Sequence, residues 1–367
     1  MNKLKEYGFT DRVYTQTEEL KKENDDLHLA RIIGQYRDRY KIISEFGEMY
    51  AKISRKFRFS TEHLSQYPAV GDFVLATFTK NDDIAIIHNI LPRKSIFGRT
   101  AVGSSQEEQV LATNIDIIFI CMSLNNNYSL NRLERYLSIA WDSGAKPVVV
   151  LTKSDLCKVI DGIITEVEEV SFYSEIIVTT NQENNSEKFA HLMTYSPTVV
   201  FVGSSGVGKS TLINQLVNEK LATSEIGHGD KGRHTTTGRE MFLSKYGGVI
   251  IDTPGTREVG IQNTDVAKSF NDIEELAQNC KFRDCTHMKE PGCAVKKALE
   301  DGTLDQRRLD NYSKLLIESS YDGLNSRQIE EAKLNRMFKS MGGHKSAKKQ
   351  MKNNLERKNA QKYESLR

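Results

Sequence analysis

The chain has 367 residues, with 51 Lys or Arg against 49 Asp or Glu and a hydrophobic fraction of 38%. This length is enough for two or three domains, and no apolar run approaches the ~20 residues that span a bilayer, so we expect no membrane association. The chain has five cysteines and no recognisable signal peptide. Together these favour a reducing, cytoplasmic location over a disulfide-bonded secreted protein.

The N-terminal quarter of the chain contains two kinds of sequence. Residues 1–38 are polar and are predicted to form a helical extension, whereas residues 39–98 alternate short apolar runs with turns. The second pattern predicts a small β-barrel of the OB type, and such barrels commonly bind oligonucleotides. Within it, residues 55–59 interleave basic and aromatic side chains, as nucleic-acid-binding faces do, although a solvated strand edge gives the same pattern.

A short motif follows the apolar run at residues 147–151, which is predicted to be a buried strand. Its residues are Thr152, Lys153, Ser154 and Asp155. The Asp155 carboxylate can accept two hydrogen bonds from the edge of guanine, and the Lys153 stem can lie over the base. Adenine offers no such pair of donors, so these four residues are predicted to bind the base of GTP.

A phosphate-binding loop follows the next predicted strand, at residues 198–202. The residues predicted to contact GTP here are Gly203, Ser204, Ser205, Gly206, Val207, Gly208, Lys209, Ser210 and Thr211. The spacing G-x-x-x-x-G-K-S lets backbone N–H groups turn towards phosphate oxygens and lets Lys209 reach the β- and γ-phosphates. The hydroxyl of Ser210 is predicted to hold Mg²⁺, and the following helix directs its N-terminal dipole at the phosphates.

A third nucleotide motif, Asp252-Thr253-Pro254-Gly255, ends the apolar run at residues 248–251. Asp252 is predicted to hold Mg²⁺ through water, and the N–H of Gly255 to sense the γ-phosphate. In most GTPases the guanine motif follows the phosphate loop, whereas here it precedes the loop. The sequence therefore predicts a circularly permuted α/β P-loop domain over residues 108–265.

Four potential zinc ligands follow this domain, within a predicted helical module at residues 266–325. Cys280, Cys285, His287 and Cys293 have the spacing C-x4-C-x-H-x5-C. Three thiolates and one imidazole favour a closed, structural zinc site, with unrelated buried cysteines as the alternative.

The C-terminal residues 326–367 carry twelve Lys or Arg and four Asp or Glu, a net charge of +8, which leaves −6 on the rest of the chain. This composition predicts a basic tail suited to phosphate backbones, although it also suits a merely solubilising segment.

The combination of barrel, permuted P-loop domain and Cys/His module resembles the RsgA family of bacterial GTPases, which assist late maturation of the small ribosomal subunit. The resemblance covers residues 39–320. Besides the motifs above it includes Pro68-Ala69-Val70-Gly71-Asp72, Leu91-Pro92-Arg93 and Gly232-Arg233-His234-Thr235-Thr236-Thr237. It implies a monomeric GTPase that binds the small subunit and its rRNA. A GTP-regulated RNA-binding adaptor with incidental hydrolysis is the alternative.

Many GTPases carry the residue that orients the attacking water next to the D-x-x-G motif, but this chain does not. A glutamine commonly follows the D-x-x-G segment, but this chain has Thr256 there. His234 is the candidate catalytic residue, because an imidazole can orient or accept a proton from water near neutral pH; the resemblance implies the same role. A loop role without chemistry is the alternative for His234. Thr236 is favoured among residues 235–237 as a ligand of Mg²⁺ and GTP.

Overall fold

The computed structural model describes residues 2–21, 26–78, 84–100, 108–171, 174–218, 239–252, 265–321, 324, 326–337 and the isolated positions 343, 345, 346 and 348. Among the described residues, no helix is both long and apolar enough to cross a bilayer.

A closed five-stranded barrel forms the N-terminal part of the fold. Its elements are α1 (Asn2–Glu6), α2 (Asp11–Lys21), β1 (His28–Gln35), β2 (Tyr40–Ser44), β3 (Gly47–Ile53), α3 (Arg55–Ser60), β4 (Phe73–Thr77) and β5 (Ile84–Ile90). The strands are ordered β1-β2-β3-β5-β4, and β4 pairs back with β1 to close the barrel. Only β3 and β5 are parallel. This confirms the predicted OB-type barrel.

The start of the barrel was predicted wrongly. Residues 28–35, which were expected to belong to a helical extension, form β1 and pair with both β2 and β4. Six successive residues of this strand are buried, because it has the barrel interior on one side and other parts of the protein on the other. The strand therefore lacks the alternation of polar and apolar residues by which a half-buried strand is recognised.

The basic and aromatic run at residues 55–59 is helical. It lies in α3, whose first turn is capped by the Ser54 hydroxyl, which accepts a hydrogen bond from the Phe57 N–H at 3.1 Å. Such a cap satisfies one of the free N–H groups at the start of a helix. The run therefore lies outside the five barrel strands, and Phe59 is 88% exposed.

A central sheet follows the barrel. Its elements are β8 (Ile117–Ser123), α4 (Leu130–Asp142), β9 (Lys146–Thr152), α5 (Ile160–Ser171), β10 (Glu175–Val178), β11 (Thr198–Val202), α6 (Lys209–Leu216), β12 (Arg239–Leu243) and β13 (Val249–Asp252). The order is β10-β9-β8-β11-β13-β12, with only β12 antiparallel to its neighbour. The connection between barrel and sheet forms a separate pair, β6 (Ile96–Thr100) and β7 (Glu108–Thr113), which spans the predicted boundary at residues 98–108.

The barrel and the central sheet are joined by backbone pairing. Strand β12 pairs antiparallel with the end of β1, with Gly34 opposite Glu240 and Gln35 opposite Arg239. A register shift between Ile32 and Gly34 bends β1, so that its first half closes the barrel and its second half extends the sheet. The result is one continuous sheet of eleven strands among the described residues.

The C-terminal module is helical. It comprises α7 (Asn271–Ala277), α8 (Ala294–Glu300), α9 (Gln306–Ser319) and α10 (Ser326–Met337), and α10 opens the predicted basic tail. Helix α9 packs on α4, where the buried Glu134 accepts a 2.7 Å hydrogen bond from Arg308. Arg308 also donates to both carboxylate oxygens of Asp272 at 2.7 Å. These paired charges fix α9 against α4 and α7.

The sequence motifs at residues 68–72 and 91–93 form one buried ion pair. The Asp72 side chain is fully buried and meets Arg93 through two hydrogen bonds of 2.7 and 2.8 Å. Gly71 has a φ of +101°, and a Cβ there would lie 2.1 Å from the carbonyl oxygen of Thr113. The Asp72–Arg93 pair and the close approach of Gly71 to Thr113 thus hold the end of the barrel against the β6–β7 connection.

We expect Arg93→Ala to destabilise the barrel by about 3–5 kcal/mol, because it leaves the buried Asp72 carboxylate without its ion-pair partner. Native-state hydrogen exchange at the amides of β4 measures this local loss. Lys94→Ala is the matched control, since its ion pair with Asp116 is 37% and 40% exposed and should contribute less than about 1 kcal/mol. Equal losses in the two variants would contradict the prediction.

Candidate nucleotide site and metal centre

The phosphate loop connects the fully buried β11 to α6, as the sequence predicts. Gly203 has a φ of +140°, and a Cβ at this position would lie 2.4 Å from the carbonyl oxygen of Cys121. Gly208 adopts a φ of +102° immediately before α6. Side chains are excluded at the first position by contact and strained at the second by backbone conformation.

Lys209 lies across the start of its own loop. Its ammonium donates to the carbonyl oxygens of Gly203 at 2.7 Å and Ser204 at 2.9 Å. Ser210 follows it in the first turn of α6 and is exposed. The cation, the exposed hydroxyl and the N-terminal end of α6 therefore converge on one face, where phosphate oxygens and a hydrated divalent cation could bind.

The guanine motif is attached directly to the phosphate loop. The buried hydroxyl of Thr152 donates to the carbonyl oxygen of Val207 at 2.6 Å. Lys153, in a left-handed conformation with φ of +58°, donates its ammonium to the carbonyl oxygen of Gly206 at 2.7 Å. Two side chains from the end of β9 thus hold the loop, so the predicted base site and the predicted phosphate site are adjacent.

Asp155 is exposed and oriented by its neighbours. One carboxylate oxygen accepts from the Asn181 N–H at 3.0 Å and from the Thr180 hydroxyl at 2.9 Å. These hydrogen bonds, that of Asn181 first, hold the pKa of Asp155 below its ordinary value. The side chain is therefore an ionised acceptor at neutral pH, which suits recognition of the two donors on guanine.

Asp252 ends β13 beside the phosphate loop. Burial raises the pKa of Asp252 above its ordinary value, the ammonium of Lys209 opposes this shift, and Glu240 adds to it. Glu240 is the cross-strand neighbour of Asp252. A divalent cation bound here would favour the ionised carboxylate. The predicted residues Gly255, Thr236 and His234 lie outside the described residues.

Arg132 contacts this site, although no sequence motif indicates it. This residue lies in the first turn of α4, and its guanidinium donates to the Ser204 hydroxyl at 2.8 Å and to the Asn127 carbonyl oxygen at 3.3 Å. Arg132 and Ser204 are far apart in the chain and share no motif. The contact arises only because β8 and β11 are neighbours in the sheet.

The four predicted metal ligands are brought together in the C-terminal module. The ligand atoms of Cys280, Cys285, His287 and Cys293 all lie within 4.8 Å of one another. The His287 Nδ1 lies 3.4 Å from the Cys293 sulfur, which is 3.8 Å from that of Cys280. A tetrahedral site with metal–sulfur bonds of about 2.3 Å requires ligand separations of about 3.8 Å. The cluster can therefore hold a metal ion.

Comparison with known proteins gives a consistent result. The family model described as RsgA GTPase matches residues 90–262. A Lactiplantibacillus plantarum protein named small ribosomal subunit biogenesis GTPase RsgA 2 is 47% identical over 357 residues, 96% of this chain and 99% of that protein. A Listeria innocua protein named small ribosomal subunit biogenesis GTPase RsgA 1 is 42% identical over 323 residues, 87% of this chain and 90% of the relative.

Two solved structures share the fold. The crystal structure of YjeQ from Thermotoga maritima matches with a TM-score of 0.59 and 26% identity, over 79% of this chain and 99% of that chain. YloQ, described as a circularly permuted GTPase, matches with a TM-score of 0.57 and 24% identity, over 80% of this chain and 95% of that one. The predicted permuted architecture is therefore confirmed.

We expect Asp155→Asn to lower the affinity for GTP at least about 10²-fold and to raise that for xanthosine triphosphate, because an amide no longer matches the donors of guanine. Titration with fluorescent nucleotide analogues measures both affinities. Asp161→Asn, an equivalent change at an exposed position of α5, is the matched control and should leave both unchanged. Unaltered GTP affinity in Asp155→Asn would remove this residue from the base site.

Proposed function

This chain belongs to the RsgA family of GTPases, and we propose that it hydrolyses GTP while bound to the small ribosomal subunit, during late maturation of that subunit. The observation that carries the proposal is the attachment of the guanine motif to the phosphate loop by Thr152 and Lys153. This attachment places the guanine motif and the phosphate loop in one site, which suits a guanine nucleotide. The relatives' names supply the subunit as the partner.

In this proposal the site binds GTP and Mg²⁺ through the residues predicted from the sequence. Asp155 accepts from the base, Lys209 and the loop N–H groups bind the phosphates, and Gly255 senses the γ-phosphate. Ser210, Thr236 and Asp252 would hold Mg²⁺, which neutralises charge on the β- and γ-phosphate oxygens. His234 orients the attacking water, a role supported by its imidazole and by Thr256 in the place where a glutamine is common.

We assign zinc to the cysteine cluster. Three sulfurs and one imidazole nitrogen within 4.8 Å of one another suit Zn²⁺, and four protein ligands leave no position for a reacting water. The ion is therefore structural: it holds the loop between α7 and α8, and α7 is bonded to α9 through Asp272 and Arg308. The module at residues 266–325 and the tail at residues 326–367 would follow the nucleotide domain as separate functional segments, in a monomeric cytoplasmic protein.

The barrel supplies a surface suited to ribosomal RNA. A cavity of about 510 Å³ lies between the β1–β2 connection, the end of β3 and α3. Its charged and aromatic lining consists of five cations, one carboxylate and three tyrosines: Arg37, Arg39, Lys52, Arg55, Arg58, Asp38, Tyr36, Tyr40 and Tyr67. None of the five cations forms an ion pair with a carboxylate in the described part of the chain. Unpaired cations beside aromatic faces bind the backbone and the bases of single-stranded RNA.

Turnover of GTP with and without purified small subunits tests the proposed function. Intrinsic hydrolysis should be slow, because the site lacks the usual glutamine, and subunits should accelerate it at least about 10²-fold, since removal of a water-orienting group has effects of that size. The large ribosomal subunit serves as the control and should not accelerate turnover. Tight, GTP-dependent binding to small subunits without acceleration would contradict the proposal and identify an adaptor instead.

We expect His234→Ala to reduce subunit-stimulated turnover about 10²-fold while leaving GTP affinity within about twofold, because an oriented water matters only for the chemical step. Single-turnover hydrolysis on small subunits separates the two quantities. His191→Ala is a matched control, since that imidazole pairs with Glu175 at the surface away from the nucleotide motifs. Parental turnover in His234→Ala would show that another group orients the water.

We expect elemental analysis to find one zinc ion per chain and Cys285→Ser to lose it, because a site with three remaining ligands binds zinc far more weakly. Limited proteolysis should then cut the C-terminal module, while GTP affinity stays within about twofold. Cys157→Ser, which changes a cysteine outside the cluster, should retain the metal. Metal-free parental protein with a protease-resistant module would contradict the assignment.

A further inference from the structure

Helix α4 contacts the phosphate loop at one end and the C-terminal module along its side. Arg132 in its first turn donates to the Ser204 hydroxyl at 2.8 Å. Arg135, one turn further, forms hydrogen bonds of 2.5 and 2.7 Å with the two carboxylate oxygens of Glu318 in α9. The buried Glu134, also in α4, accepts a hydrogen bond from Arg308 of α9. The helix that carries Arg132 is thus fixed on both sides.

Ser204 lies between two cations of the protein. Its carbonyl oxygen accepts from the Lys209 ammonium at 2.9 Å, and its hydroxyl accepts from the Arg132 guanidinium at 2.8 Å. Arg132 forms no ion pair within the described residues, so its charge is not neutralised by a carboxylate there. A serine held from both sides has little freedom to move, and its position fixes one of the two acceptors that orient Lys209.

We propose that Arg132 is a positioning residue for GTP hydrolysis, which holds Ser204 and, through it, Lys209 in the geometry required at the β- and γ-phosphates. A charged donor fixed by a packed helix keeps its partner in place without reorganisation during the reaction. The second positive charge beside the loop also favours the more highly charged triphosphate over the diphosphate.

The contact links the C-terminal module to the phosphate loop. Glu318 and Arg308 hold α4 from outside, and Arg132 transmits the position of α4 to Ser204 over a single hydrogen bond. A partner that binds the module can therefore bias the loop through this helix, because α4 supplies a contiguous set of contacts with defined geometry. The role of Arg132 rests on the GTP hydrolysis proposed above; its link to the module adds a second site of control.

Full-length variants assayed for GTP turnover on small subunits test the role. Arg132→Ala should lower kcat about tenfold, the effect of one hydrogen bond with a charged donor, and should leave GDP affinity within about twofold. Arg132→Lys should recover part of the loss, and millimolar guanidinium chloride should partly restore Arg132→Ala. Ser204→Ala should lower kcat similarly, and the double variant Arg132→Ala/Ser204→Ala should be no slower than either single variant.

Arg135→Ala is the matched control. It removes an arginine from the same helix and breaks its pairing with Glu318, so guanidinium should give it no gain in activity. Parental kcat in Arg132→Ala, or strictly additive losses in the double variant, would overturn the proposal. Turnover of the parent protein is measured in the same assay, so a failure of GTP hydrolysis itself is seen separately from a failure of Arg132 to matter.

Discussion

The relative placement of the N-terminal segment, the barrel and the central sheet depends on the hydrogen bonds of one buried guanidinium. Arg31 is 1% exposed and donates to the carbonyl oxygens of Tyr7 and Gly71 and to the Thr198 hydroxyl. Burial lowers the pKa of Arg31 to about 10, against the opposing effect of Asp116 and Asp72, so it stays charged at neutral pH. A buried charge must keep its acceptors, and these three lie in three different parts of the chain.

The sequence predicted the family and the fold class of this protein because each motif is encoded within a few residues. Gly203 and Gly208 are required by backbone geometry, and the ligand spacing of the cysteine cluster is local, so these features could be recognised without the fold. The prediction of secondary structure failed in β1, because both faces of that strand are buried. Contacts between distant residues, such as that of Arg132 with Ser204, could not be predicted from the sequence. Those contacts exist only after the strand order of the permuted sheet is known.

Buried charges also explain how the C-terminal module is attached. Glu134 is 1% exposed and is shared by Arg308, Arg307 and Asn311 of α9. Such pairs contribute modestly to stability, because both charges lose their hydration, but they permit only one geometry. The module is thus oriented by α4, the same helix that reaches the phosphate loop. This cluster of charges therefore fixes the orientation of the module more than it adds to the stability of the protein.

The pairing of β12 with β1 has a consequence for biosynthesis. The two strands are separated by about 200 residues of sequence, and contacts between such distant segments form slowly because a long loop must close first. Until β12 has been translated, the second half of β1 presents free backbone N–H and C=O groups at a strand edge. Unpaired edges promote association between chains. The nascent barrel is therefore exposed to misassembly at this edge until completion of the central sheet covers it.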